Sequence, residues 1–399
     1  MTERPSAFSW TKLNAALKCG DAPGAASAAL EGLHGASLDG RKAFFSQLSL
    51  ALLAHARASE TAGCVAEACE ALWRMPEFRT NHSSTSSMTG EALLLATVLA
   101  TAYATVDKLD KSMALDVEVL QSPAFFVHDG LTPLDRLACT ARVLKASRVT
   151  ASPRHADSAV QKGMSVYHSI ASQVDPQGGD NETQSHRRAV VCAYLLELGL
   201  YRQQHHDYLR AFQSFLALHE NSEDPVALHR AALCALCART CEKERQAILY
   251  SVTQRSNVTP LVPPLYDCVQ SAYNGQLLSA SDVQGALAAA GDYLPQSALR
   301  DALREHNIII LAKTFECVHW HSLCVHMDDQ DITEVELYDL LVSMVMSHRI
   351  CAVIHQDTGF VEFTDDASAH ARITDTDAFN RIAVAVTEIG KTHPELLFV

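Results

Sequence analysis

The sequence predicts a mostly α fold: a right-handed α-solenoid of paired helices, followed by a winged-helix module and a C-terminal helix. Three observations predict it. Apolar residues recur at helical spacing from the N-terminus to Lys313 with only short breaks. From Arg304 to Phe363 the pattern becomes helix, short helix, longer helix and β-hairpin, the order of a winged helix. Composition agrees, because 48% of the residues are hydrophobic while only 7% are aromatic, with Ala and Leu abundant as stacked helices require.

The arm reads as a series of helices. Phe8 to Lys18 is the first, and Ala22-Pro23 opens a second with Pro at an early helical position. Arg41 to Ala58 is apolar nearly all round and is expected to be well buried. Thr61 to Arg74 carries Cys64, Val65, Ala68 and Leu72 on one stripe, and Thr80 to Thr89 is a polar break. Glu91 to Val106 pairs with Lys108 to Leu120, and Pro133 to Ser147 with Ala156 to Ser172. Val174 to Ser185, with its Pro and two Gly, reads as a second connection.

From His186 the pairing tightens. Arg187 to Arg202 partners Asp207 to His219, whose Ala211 and Phe215 match the second helix of a tetratricopeptide-like repeat, although Gly199 and Tyr201 fall off that repeat's spacing. Pro225 to Arg239 partners Glu242 to Thr253. Val262 to Tyr273, Ser281 to Ala290 (with Ser281-Asp282 as its start) and Ser297 to Lys313 complete the array. Each pair buries its apolar face by packing on the next, which is the logic of a solenoid.

The terminal module follows. Val318 to Met327 reads as a short helix, and Ile332 to Ser347 as a longer one with Val335, Leu337, Leu340, Leu341, Met344 and Val345 on one face. Ile350 to His355 and Phe360 to Phe363 alternate around the turn Asp357-Thr358-Gly359, giving a hairpin whose two edges are expected to be unpaired. In the tail, Asp375 is a helix cap, and Phe379, Ile382, Val386 and Ile389 form a stripe. That stripe either folds back on the module or joins a bundle with tails of other chains.

Charge excludes the usual use of a winged helix. Duplex binding needs Lys and Arg to displace phosphate counterions, yet no Lys or Arg lies between Lys313 and Arg349. The would-be recognition helix carries Glu334, Glu336 and Asp339 behind the turn aspartates Asp328, Asp329 and Asp331. The whole chain, 399 residues with a formal net charge of −14, disfavours nucleic acid and anionic membrane alike. No apolar run approaches the roughly 20 residues of a membrane span, and residues 1–18 lack a secretory apolar core. The twelve cysteines mostly sit inside helical patterns as small hydrophobes. The expectation is a soluble protein of a reducing compartment.

Candidate chemistry is sparse. His319-Trp320-His321, with His326 and the aspartates behind it, is the strongest metal-like cluster. The ordinary reading places His319 at a helix start and His326 partly buried beneath the hairpin, because Trp320, Leu323 and Met327 must point inward. Cys234, Cys237 and Cys241 lie on one helical face among Ala and Leu, which reads as core rather than zinc. There is no phosphate loop, nucleophile elbow or Cys/His site. The sequence predicts no enzyme, metal or cofactor.

One segment carries a family likeness. Glu305-His306-Asn307-Ile308, Lys313 and Phe315, followed by the Leu323 helix, the Leu340–Met346 helix and the Ile354–Phe363 hairpin, resemble the PCI module. Leu228 to Cys234, Glu244 to Leu249 and Leu265-Tyr266 to Leu278 extend the likeness toward the subunit-4 family of the COP9 signalosome, from about residue 186 onward. The segment Leu294-Pro295-Gln296-Ser297 is shorter than that family's usual insertion. The resemblance implies a helical-repeat arm (1–185), the helical half of a PCI domain (186–314), a winged helix (315–365) and a tail helix (366–399). It further implies a scaffold subunit of the cytoplasm and nucleus that joins other PCI and MPN subunits. Val353, Ile354, Phe360, Val361 and Phe363 would form the assembly edge, and Phe379, Ile382, Val386 and Ile389 the tail bundle. Glu305, His306, Asn307 and Phe315 would be the module's structural motif. The arm would touch a cullin–RING ligase, whose NEDD8 a separate metalloprotease subunit removes. A proteasome-lid PCI subunit remains the alternative within the family, and a nucleic-acid-binding winged helix the alternative outside it.

Overall fold

A computed structural model describes residues 10–35, 38–74, 90–126, 131–150, 153–172, 181–328 and 332–364. The described chain is mostly helical, with three short strands, and it divides into two compact units, Met1–Asp224 and Pro225–Val399.

The first unit contains α1 (Trp10–Cys19), α2 (Ala22–Gly35), α3 (Leu38–Ala56), α4 (Ala62–Trp73), α5 (Gly90–Thr105), α6 (Leu109–Gln121), α7 (Pro133–Val149), α8 (Ala156–Ser172), α9 (Asn181–Gln204) and α10 (Tyr208–Ser222). Contacts run between near neighbours in sequence, α4 and α6 on α5, then α6, α8 and α9 on α7, then α10 on α9. That is how paired helices cover one another's apolar stripes. The all-round burial expected for α3 belongs instead to α5, in which every residue from Ala92 to Ala100 is buried; α3 leaves Leu50 exposed. Helix α7 starts where Thr132 and Asp135 form a reciprocal capping box with Pro133 next in line. Asp116, wholly buried on α6, accepts from Arg142 Nε and Nη2 of α7 at 2.8 and 2.7 Å, so the charge buried at this crossing is paired in bidentate fashion. Helix α9 begins at Asn181, inside the stretch read from sequence as a connection. Gly199 of α9 faces the ring of Phe215 of α10, where an added Cβ would come within 2.7 Å. Helix α9 packs on α7 and so lies within this first unit.

The second unit contains α11 (Pro225–Cys237), α12 (Glu242–Ser256), α13 (Pro263–Tyr273), α14 (Ala280–Ala290) and α15 (Gln296–Ala312). These are followed by β1 (Cys317–His319), α16 (Trp320–His326), α17 (Glu334–Met346), β2 (Ala352–His355) and β3 (Phe360–Phe363). The cap of α14 is Ser279, boxed with Asp282, so that helix begins just before the Ser281-Asp282 start read from sequence. The three strands form one antiparallel sheet in the order β1-β3-β2. This corrects two expectations. Residues 317–319 are a strand rather than the start of the short helix, which begins at Trp320, and the hairpin is not alone, because β1 covers one side of β3. The turn holds Gly359 at φ +73, and a Cβ there would meet His319 Nε2 at 2.7 Å, so the position suits only Gly. Ile308 and Leu311 of α15 join Leu323, Leu337, Leu341, Met344, Val361 and Phe363 in one core, which anchors the sheet and both short-module helices on α15.

Candidate functional site

Four consecutive residues of α15, Arg304, Glu305, His306 and Asn307, are buried. A helix can bury four successive positions only where neighbours surround it, and polar side chains there need partners. Arg304 pairs with Asp301 one turn back, Nη1 to Oδ1 at 3.8 Å, and the other three meet that need in different directions.

Glu305, 1% exposed, accepts from Arg239 Nη2 at 2.8 Å through one oxygen and from Arg349 Nη1 through the other. Arg239 lies just past α11, and Arg349 lies in the link from α17 to β2. One carboxylate thus ties the helical array to the approach of the sheet. Burial, together with the like charges of Arg245 and Arg239, holds the Arg349 guanidinium down at about 10, which leaves it protonated at neutral pH. Arg245 of α12 is itself buried, and its Nε and Nη2 have no hydrogen-bond partner.

His306 places Nε2 2.9 Å from the carbonyl oxygen of Gln276; since a carbonyl only accepts, this nitrogen carries the proton. Burial, then the charge of Arg245, lowers the imidazole to about 4, so it is neutral at pH 7. Asn307 uses both ends of its amide on one residue: Oδ1 accepts from Leu278 N at 2.8 Å and Nδ2 donates to Leu278 O at 2.9 Å. Together these two side chains pin the loop between α13 and α14. Asp328, just past α16, accepts from Ala280 N at 3.1 Å and so adds a second acceptor at the start of α14.

The expected motif residues are therefore brought together as a joint, with Phe315 packed on the module's core and its ring 5.0 Å from that of His326. His326 itself is exposed, not tucked beneath the hairpin as expected. Sequence reasoning missed Arg239 and Arg349. The signal for Arg349 was available, since it ends the long cation-free stretch after Lys313.

The assembly-edge residues separate. Val361 and Phe363 belong to the core, on the central strand, so their side chains are not presented outward. Phe360 is exposed, and Val353 and Ile354 are half-buried on β2. Thr364 N donates to Cys351 O at 2.9 Å, and Cys351 and Thr364 continue the β2–β3 register. By the alternation of antiparallel ladders, Val353 and His355 also bond toward β3, and the N–H and C=O of Ala352 and Ile354 point away from it. Among the described residues no strand pairs with that outer side of β2. The tail stripe Phe379, Ile382, Val386 and Ile389 lies outside the described residues.

Other candidates resolve structurally. His319 caps α16, its Nδ1 accepting from His321 N at 3.2 Å, and no group of three or more potential metal ligands occurs among the described residues. Cys234 and Cys237 are buried on α11, whereas Cys241 is the exposed cap residue of α12, so the three do not share a helix. Burial pushes the Cys237 and Cys268 thiols up to about 12. Among the described residues no helix is long and apolar enough to cross a membrane. No known protein-family model matches the chain, and no curated protein matches it.

Proposed function

We propose that this chain is a non-catalytic scaffold subunit of the PCI type, built for a large assembly such as the COP9 signalosome. In that reading the helix–strand–helix–helix–hairpin module is a winged helix, and the preceding helices are a right-handed solenoid. The outer side of β2 then pairs with a strand of a neighbouring PCI or MPN subunit, which adds main-chain hydrogen bonds across a shared sheet. The arm positions a neddylated cullin–RING ligase, and the deneddylation chemistry belongs to a separate metalloprotease subunit.

The observation that carries the reading is the Glu305–Arg239–Arg349 joint, which fixes to an array of stacked helices a module whose β2 has an outer edge unpaired among the described residues. A buried, fully engaged carboxylate at that place suits rigid presentation of an edge, not turnover. The acidic face of α17, with Glu334, Glu336 and Asp339 exposed, weighs against the nucleic-acid alternative.

The test is Ile354→Pro. Its amide points away from β3, so proline removes an edge donor while leaving the β2–β3 ladder intact. The expected result is a folded chain that no longer co-purifies with its assembly, whose members mass spectrometry identifies as signalosome or proteasome-lid subunits. Unchanged co-purification of Ile354→Pro would refute the edge, and a lone chain without associated subunits would refute the scaffold.

A further inference from the structure

We propose that the outward face of α17 docks a short amphipathic helix of another protein, one bearing aliphatic anchors flanked by Lys or Arg. This goes beyond the strand edge and does not depend on which complex the chain enters.

Helix α17 has two apolar faces. One, with Leu337, Leu341, Met344 and Val345, is spent on the core. The other is Val335, Tyr338, Val342 and Met346, spaced three, four and four apart, which places them in one line along the helix. The two ends of that line, Val335 and Met346, are each 71% exposed, and Tyr338 and Val342 are half-buried. Tyr338 sets its ring edge-on to Trp320 of α16, 6.2 Å between centroids, while Val335 and Met346 at the ends stand out where an amphipathic surface helix ordinarily carries polar residues. The line extends about 16 Å, the reach of roughly three helical turns. Its anchors are of the adaptable kind, since Met fits irregular surfaces.

Charge decides what the face accepts. Glu334, Glu336 and Asp339 are exposed beside the line, and no Lys or Arg occurs from Thr314 to His348. Among the described residues, His321 stands nearest the helix start, its Nδ1 4.0 Å from Glu334 Oε1. A nucleic acid is repelled by such a rim. A second copy of the same face would set carboxylates against carboxylates. A helix with aliphatic anchors and cationic flanks instead satisfies both the apolar line and the rim.

The experiment uses the full chain and two labelled peptides of about 16 residues, with leucines at i, i+4, i+7 and i+11. In one, Lys flanks the leucines; in its twin, Glu does. Fluorescence anisotropy is expected to show the Lys peptide binding at least about tenfold tighter than the Glu peptide, less so as salt rises. Val335→Ser/Met346→Ser is expected to weaken the Lys peptide about tenfold or more while the circular dichroism stays unchanged. Equal binding of the two peptides, no binding of either, or indifference to the double substitution overturns the proposal. A photo-crosslinking residue at the exposed Ser343, placed in the chain within its natural assembly, is expected to capture a helical segment of another protein with Lys or Arg beside its aliphatic residues. Capture of this chain's own residues 365–399 overturns it as well. The peptide titration uses the isolated chain, so a failure of the scaffold reading would show separately, in the proteins that co-purify.

Discussion

Replacing Glu305 by Gln keeps the side-chain shape and removes the charge that two arginines share. Their situations differ: the Arg239 side chain is 59% exposed, whereas that of Arg349 is 11% exposed. Arg239 can return to water, so its part of the loss is that of a surface pair, about 0–1 kcal/mol. Arg349 cannot, and a buried guanidinium deprived of its carboxylate costs about 3–5 kcal/mol. The expected destabilisation is therefore about 3–5 kcal/mol, dominated by Arg349. In a unit of this size each kcal/mol moves Tm by about 2–4 °C, so a drop on the order of 10 °C is expected in the transition that includes α15. The assay is urea unfolding of Glu305→Gln, Arg349→Met and the double variant, with hydrogen exchange reporting β2 and the Leu278 loop separately, because two compact units need not unfold together. The double variant is expected to lose much less than the sum of the singles, since removing both charges leaves no orphan. A Glu305→Gln variant within about 0.5 kcal/mol of the parent, or strict additivity in the cycle, would refute the joint.

Further outcomes follow from the same geometry. Asn307→Ala removes both hydrogen bonds to Leu278 and strands the Leu278 backbone groups, so about 2 kcal/mol of stability is lost; hydrogen exchange at Leu278 is expected to accelerate first. Asp116→Asn leaves the Arg142 guanidinium facing a neutral partner between α6 and α7, with about 3 kcal/mol lost from the first unit and none from the second, read by domain-resolved exchange. His306 has its imidazole depressed to about 4 from 6.5, so the unfolded chain binds the extra proton first. Its contribution is intact above pH 6.5 and is lost as pH falls through the window down to about 4, a total of about 3 kcal/mol by linkage. Stability measured between those limits is expected to slope with pH in the parent and to lose that part of the slope in His306→Gln.

Local periodicity was enough to place α8 at Ala156–Ser172 and β3 at Phe360–Phe363 directly from the sequence. Helix α8 repeats its apolar residues over several turns, and β3 follows the turn Asp357-Thr358-Gly359 that marks a hairpin. Strand β1 escaped because three residues, Cys317–His319, are too few to show an alternation; pairing with β3 is what makes them a strand. Packing of one sheet face on α15, α16 and α17 put Val361 and Phe363 in the interior, although on the sequence alone either face of a hairpin could have been the outer one. His326 reads as half-buried by its spacing, yet α16 ends there and turns it out.

What the sequence by itself determined is therefore the helical content, most helix limits, the acidic character of the α17 surface and the presence of a polar motif on α15. Only the tertiary structure decided what that motif does, because the arginines that neutralise Glu305 come from 66 residues before it and 44 after it. Helix formation is settled within a few turns by side chains three or four apart, whereas a buried charge is settled by whichever opposite charge the closed chain brings within reach.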